Sequence, residues 1–251
     1  MKKFLLKIAD LYGYAWQIVP KRLRALFIKG LMVLETRGDP AEGLVRAFDL
    51  EDGLLRVINE RALALGGGVH PKHRLTRYHD FFIDRLKDGD HVLDVGCSYG
   101  AVARDVAKSH PSISVVGIDL NAENLECAKN HPENPPNLKF FLGDATKNVP
   151  DGSFNVVILS NVLEHIDDRS GFLIALRQKT QCKKLLIRVP CFERDWSLPL
   201  RRELGVNYFS DSDHKIEYTR DEFENEMRRS NLKIGEILFQ WGEIWATVCP
   251  V

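Results

Sequence analysis

Hydrophobic positions in the first 90 residues recur at helical spacing. In KRLRALFIKGLMVLE, Leu23, Leu26, Phe27, Gly30, Leu31 and Leu34 fall along one side of a helix. In AEGLVRAFDLEDGLLRVINERALAL the apolar markers are Leu44, Phe48, Leu55, Ile58 and Leu65, and Gly66-Gly67-Gly68 breaks the pattern. A further helix is predicted from Pro71, a residue suited to a first turn, to about Leu86, with a turn at Lys87-Asp88-Gly89-Asp90. From residue 91 short strands alternate with helices. HVLDV, ISVVGID, LKFFLGD, FNVVILS and KLLIRV read as strands; Tyr99–Ser109, Ala122–Asn130 and Asp168–Thr180 read as helices. Strands this apolar are buried on both faces, as in a parallel sheet covered by helices. Residues 190–218 read as one long irregular segment. Thr219-Arg220-Asp221-Glu222 is a capping box that opens a helix to about Ser230. KIGEILF and EIWATVC, separated by Gln240-Trp241-Gly242, close the sheet as an antiparallel pair. The predicted organisation is a helical extension over 1–70 and an α/β domain over 71–251, with 190–218 inserted as a cap over the substrate.

Composition narrows the class. The 251 residues are 44% hydrophobic and 28% charged, which fits a solvated globular protein with a real core. The formal net charge of zero argues against general nucleic-acid binding. The charge is unevenly spread: residues 1–37 hold eight Lys and Arg against Asp10 and Glu35, a surplus of six. Five cysteines without a C-x-x-C pair make a disulfide framework or a cysteine zinc site a poor fit. No apolar run approaches the roughly 18 residues of a spanning helix. The apolar run before Lys7 is too short for a signal-peptide core. The expectation is a cytoplasmic protein, with residues 1–37 as a candidate peripheral contact to the inner face of a membrane. The sequence leaves the oligomeric state open.

The chemistry concentrates in VLDVGCSYGAVARDVA. Gly96-Cys97-Ser98-Tyr99-Gly100 matches G-x-S-x-G, the nucleophile elbow of a serine hydrolase. It also matches a glycine loop between a strand and a helix, as in nucleotide-binding folds. The elbow needs several strands before it, and residues 1–90 offer none. The cradle needs acids at successive strand ends, and Asp94, Asp119 and Asp144 supply three. Asp119 lies 23 residues after Gly96, near the spacing of a ribose-hydroxyl acceptor.

VLDVGCSYG, VVGIDL, FLGDA and FNVVILSNVLEHIDD, in this order and spacing, resemble the four successive motifs of class I S-adenosylmethionine-dependent methyltransferases, in particular the small-molecule, type 11-like group. The resemblance covers about residues 78–250. It implies a Rossmann-like, doubly wound, mostly parallel seven-stranded sheet with a C-terminal antiparallel strand pair. It also implies S-adenosylmethionine as cofactor. The last third of the chain more loosely resembles methyltransferases found with bacterial surface-polysaccharide biosynthesis. Ser98 departs from the family's pattern by replacing its central glycine.

The resemblance implies roles residue by residue. Backbone amides around Gly96, Ser98 and Gly100, at a helix start, take the methionine carboxylate. Asp94 faces the α-amino group, Asp119 accepts the ribose hydroxyls and Leu120 packs beside adenine. Asp144 accepts the adenine amine with the Ala145 amide nearby, and Asn161 borders the methyl-donating end. An NAD-dependent dehydrogenase would share the loop and the ribose acid, and SNVLEH tips the balance toward methyl transfer. A cofactor-binding protein without catalysis is the alternative outside enzymes.

His165 is a candidate general base, with ordering of its own loop as the alternative, and His214 is a weaker candidate. Glu164, His165 and His214 are of metal-ligand type, but without close spacing in sequence no metal is expected. His73 and Tyr78 belong to a candidate lid hinged at Gly66–Gly68. Arg194, Trp196, Tyr208 and Glu217 in the 190–218 segment mix aromatic platforms with charges, which suits a sugar. The expected acceptor is therefore a sugar hydroxyl of a surface glycan or its precursor, with a lipid or quinone-type small molecule as the alternative.

Overall fold

A computed structural model describes residues 12–251. The chain falls into two compact units, one running up to Gly68 with Arg201–Val206, the other comprising Val69–Leu200 and Asn207–Val251.

The first unit contains helices α1 (Lys21–Glu35) and α2 (Pro40–Leu65). Asp39 caps α2 by accepting the Ala41 and Glu42 amides, and Pro40 fills the first position, where no amide is needed. Arg201 closes this unit. Its guanidinium lies 4.3 Å over the Phe48 ring and bonds Glu51 and Asp52, each at 2.9 Å. The stripe predicted from Leu23 to Leu34 forms on α1, but no residue of α1 is buried. Leu26, Phe27, Leu31 and Leu34 are all more than half exposed. The lysines at positions 2, 3 and 7 lie outside the described residues.

The second unit is built on seven strands: β1 (His91–Val95), β2 (Ser114–Asp119), β3 (Leu138–Leu142), β4 (Val156–Ser160), β5 (Lys184–Pro190), β6 (Leu232–Gln240) and β7 (Glu243–Pro250). Their order is β3-β2-β1-β4-β5-β7-β6. The first five run parallel, and β7 lies antiparallel between β5 and β6, so the fold is the predicted Rossmann-like mixed sheet. β4, β5 and most of β1 are buried, as their continuous apolar runs require. The strand order reverses direction between β1 and β4. In open α/β sheets this switch point leaves a crevice beyond the strand ends.

Helices α3 (Lys72–Thr76) and α4 (Tyr78–Ile83) replace the single helix predicted from Pro71 to Leu86. Arg77, at φ 50°, breaks it in a left-handed conformation and turns Tyr78 and His79 inward. The connecting helices are α5 (Ala101–Ser109), α6 (Ala122–Lys129), α7 (Arg169–Thr180) and α9 (Arg220–Arg229). The capping box at Thr219 and Glu222 forms as its spacing predicts. The segment 190–218 is more ordered than expected, because it contains a 3₁₀ turn at Phe192–Arg194 and helix α8 (Ser197–Glu203).

The loop after β1 bends sharply. Gly96 and Gly100 have φ values of 68° and 71°, and Ser98 reaches 49°. A Cβ on Gly100 would stand 2.5 Å from the Phe140 ring, so glycine is required there on both counts. Gly100→Ala is expected to destabilise the fold by about 2 to 4 kcal/mol, from left-handed strain and overpacking. Ser98→Gly is expected to leave the denaturant midpoint unchanged or raise it, because relief of strain offsets the added chain entropy. Equilibrium denaturation of both variants checks the pair.

Candidate functional site

β1, its glycine loop and the end of β4 enclose a cavity of about 320 Å³. Asp94, the loop from Gly96 to Tyr99, Ser160 and Asn161 line it, with Lys72, His73, Tyr78 and Arg188. Asp94 is 1% exposed, and its Oδ2 has no hydrogen-bond partner. Burial lifts its pKa to about 7, against the pull of the Ala103 amide; the Asp119 carboxylate adds to the rise. This is a cavity with a polar, charge-demanding floor.

Asp119 follows at the end of β2. Its Oδ2 accepts the Ser98 amide at 2.7 Å and its Oδ1 accepts the Asn121 amide at 2.8 Å, so it also holds the glycine loop in place. Leu120 beside it is 76% exposed, an apolar side chain left on the surface next to the strand edge. Asp144 comes just after β3 and accepts the Thr146 amide and hydroxyl at 3.0 and 2.6 Å. Those bonds, with Lys147 at 2.9 Å, hold its carboxyl down near a pKa of about 2. Ala145 is half-buried against the core. Ser98 Oγ accepts a bond from Asn124 Nδ2 at 3.3 Å, and no histidine bonds it among the described residues, which leaves the elbow reading without its base.

The wall opposite Asp94 was only partly legible in sequence. The Tyr78 hydroxyl and His73 Nδ1 share a hydrogen bond at 2.8 Å, and burial raises the phenol pKa to about 12. Burial, with His79 nearby, lowers that of His73 to about 4. His79 continues the chain, 3.5 Å from His73 and 2.6 Å from Asp105. Arg188 was missed altogether. Its guanidinium stacks 3.9 Å over Tyr78, bonds Ser160 Oγ at 3.2 Å and pairs with Glu243 at 2.5 and 2.6 Å. One arginine inside the otherwise apolar run LLIRV was the available signal.

A second cluster lies beyond β4. The turn at Leu163–His165 holds Glu164, which is 0% exposed with no partner on either carboxylate oxygen. Burial raises its pKa to about 8. The Lys215 amide donates to the Glu164 carbonyl at 2.6 Å and ties the 210–218 segment to this turn. The His165 and His214 rings are thereby brought edge to face, 4.6 Å between centroids. His165 Nδ1 is buried 3.1 Å from Asp213, at an angle that makes no hydrogen bond. His214 Nδ1 bonds Glu217 at 3.0 Å.

The expected sugar-facing residues divide. Glu217 turns inward rather than toward a substrate, because His214, Ser210 and Arg194 supply donors that satisfy its buried carboxylate. Arg194 points inward for the same reason and also donates to the Cys191 carbonyl. Trp196 is 76% exposed, and Tyr208 stacks on Phe209 with 4.4 Å between centroids.

Residues 93–182 match the family model described as a methyltransferase domain. The chain is 40% identical over 87 residues to the mitochondrial ubiquinone biosynthesis O-methyltransferase of Candida albicans, covering 33% of this chain and 27% of that protein. It is 28% identical over 198 residues to the 2-methyl-6-phytyl-1,4-hydroquinone methyltransferase of Synechocystis sp., covering 70% and 62%. It therefore spans less than two thirds of the length of either relative. The magnesium protoporphyrin IX methyltransferase of Synechocystis PCC 6803, solved with bound SAH, shares the fold at a TM-score of 0.55 and 14% identity, covering 72% of this chain and 83% of that one.

The Asp94 carboxyl sets a pH signature. Its folded pKa lies above the roughly 3.9 of an unfolded aspartate, so ionisation opposes folding. With no ligand added, stability is expected to fall as pH rises from about 4 to about 7, and this group adds no further change above that. Asp94→Asn is expected to make the fall smaller by this carboxyl's share and to leave the share of Glu164, whose pKa burial also raises. Denaturation of both proteins at pH 5 and pH 8 checks it.

Proposed function

We propose that this chain is an S-adenosylmethionine-dependent methyltransferase acting on a hydroxyl of a small molecule. The observation that carries the reading is the unpartnered Asp94 oxygen on the floor of the glycine-loop cavity. A cationic amino group is the partner this carboxylate lacks, and an amino-acid end also carries a carboxylate for the amides at the start of α5. Asp119 offers a carboxylate to a ribose, since each oxygen keeps a lone pair beyond its one amide bond. The exposed Leu120 offers an apolar face to adenine. The match over residues 93–182 supports the same reading. When bound, the cofactor supplies an electrophilic methyl group. The protein's part is to hold the acceptor oxygen in line and keep water out, which needs orientation more than acid–base chemistry. His165 stands as a general base for an acceptor hydroxyl.

For the acceptor, the reading taken from the sequence is a sugar hydroxyl in a surface glycan precursor. The exposed Trp196 and the Tyr208–Phe209 stack support it, as platforms for the apolar face of a sugar ring. A quinone-type or lipid acceptor is the second reading, favoured by the two relatives named for ubiquinone and hydroquinone methylation. The apolar residues left exposed on α1 and the basic surplus of residues 1–37 support a membrane-surface site of action.

S-adenosylhomocysteine is expected to raise the melting temperature, and Asp119→Ala is expected to abolish the shift. A shift with NAD instead would overturn the cofactor assignment. Binding below pH 7 is expected to release a proton from Asp94, read as a calorimetric enthalpy that varies with buffer ionisation heat. Radiolabel from the methyl donor is expected in a glycan or lipid-linked fraction of cell extract. Label in the quinone fraction selects the second acceptor, and label only in nucleic acid or protein contradicts both.

The N-terminal assignment is tested separately. The full chain is expected to co-sediment with anionic liposomes at low salt and to release as salt screens the attraction, whose range is about 10 Å at 0.1 M. Absence of binding at low salt would overturn it.

A further inference from the structure

We propose that Glu164, His165 and His214 form a binding site for one divalent transition-metal cation. One ligand atom from each residue lies within 4.8 Å of the others. Ligands around a tetrahedral ion at about 2.1 Å are separated by ~3.4 Å, so modest side-chain rotation completes the contraction. Two imidazoles and a carboxylate form the N/O donor set that zinc, cobalt, iron and manganese accept, with coordination positions left open.

Three features distinguish this cluster from a chance meeting of polar side chains. First, Glu164 is wholly buried, yet neither carboxylate oxygen receives a hydrogen bond. Buried carboxylates in folded proteins are paired or bound to cations, because desolvation is otherwise uncompensated. Second, His214 gives its Nδ1 to the buried carboxylate of Glu217 at 3.0 Å, which leaves Nε2 as the coordinating nitrogen. A carboxylate on the far nitrogen is how metal-bound histidines are oriented and made more basic. Glu217 is itself fixed by Arg194 and by the Ser210 amide at 2.7 Å. Third, the backbone brings the ligands together. The Lys215 amide bonds the Glu164 carbonyl at 2.6 Å, so one hydrogen bond joins two segments some fifty residues apart in sequence.

Sequence spacing does not announce this cluster, for that reason. Glu164 and His165 are adjacent, and His214 arrives through a backbone contact that no local pattern announces. On the methyltransferase reading, on which this role alone rests, the ion would take the acceptor oxygen and lower the pKa of its hydroxyl, so that the proton leaves to solvent and metal-bound His165 does not serve as the general base. Ion binding itself does not depend on that reading.

The test uses the full chain, stripped with chelator and dialysed, and titrated with Co²⁺ followed by visible absorption and with Zn²⁺ followed by calorimetry. One ion per chain is expected, with intense Co²⁺ bands of low-symmetry N/O coordination and displacement of Co²⁺ by Zn²⁺. His165→Ala and His214→Ala are each expected to weaken binding by at least a hundredfold. Glu164→Gln is expected to abolish the Co²⁺ spectrum while raising the melting temperature of the metal-free protein, since it removes an unpaired buried carboxylate. A structural residue would give the opposite stability change. Glu217→Gln is expected to weaken binding about tenfold. The S-adenosylhomocysteine shift, measured on every variant, reports that each is folded. No Co²⁺ binding, or binding unchanged in both histidine variants, overturns the metal site. If the S-adenosylhomocysteine shift is intact at the same time, the methyltransferase reading stands without it.

Discussion

Asp94 takes a carboxylate into the interior of a parallel sheet at the point where its strand order reverses, and the fold supplies a partner for only part of it. The position is set by the sheet: Asp94 pairs in register with Gly117 of β2 on one side and Ile158 of β4 on the other. Because β1 is buried at this point, the side chain cannot reach solvent. It faces the cavity formed where the glycine loop leaves the strand. An ionised carboxylate held this way destabilises the protein until a cation neutralises it. The left-handed turns at Gly96 and Gly100 and the amide bonds to Asp119 all shape the space that such a cation would enter.

The protein carries a second carboxylate under the same constraint. Glu164 follows the end of β4 by four residues, and Ser160 and Asn161 of that connection line the Asp94 cavity. One end of the β1–β4 switch point thus holds two buried acids with unpartnered oxygens, one on Asp94 and both on Glu164, each beside groups that orient a ligand. Arg188 does not neutralise either by pairing, because Glu243 already takes its guanidinium in a two-point bond. Its role is to brace the wall, with Tyr78 stacked on it and Ser160 bonded to it. Stability given up at sites of this kind is characteristic of ligand-binding positions.

The sheet and its acids were legible because their signals are local. An apolar run with an acid at or just past its end marks a strand and its edge, and Asp94, Asp119 and Asp144 each stand at such an end. The capping box at Thr219 was equally local. Missed features depend on contacts across the fold. The break at Arg77 needs a left-handed non-glycine residue, for which the sequence gives no warning. Helix α8 was hidden by Pro199, although Asp195 accepts the Ser197 amide at its start. Glu217 and Arg194 read as sugar-facing charges because only tertiary structure shows that they pair with each other beside His214.

The most direct test of the Asp94 account is a crystal structure of the chain with S-adenosylhomocysteine. The account predicts ligand density along the glycine loop, with the α-amino nitrogen within hydrogen-bond distance of Asp94 Oδ2 and the ribose hydroxyls on Asp119. Density elsewhere, or an amino group held by other residues with Asp94 still unpartnered, would contradict it.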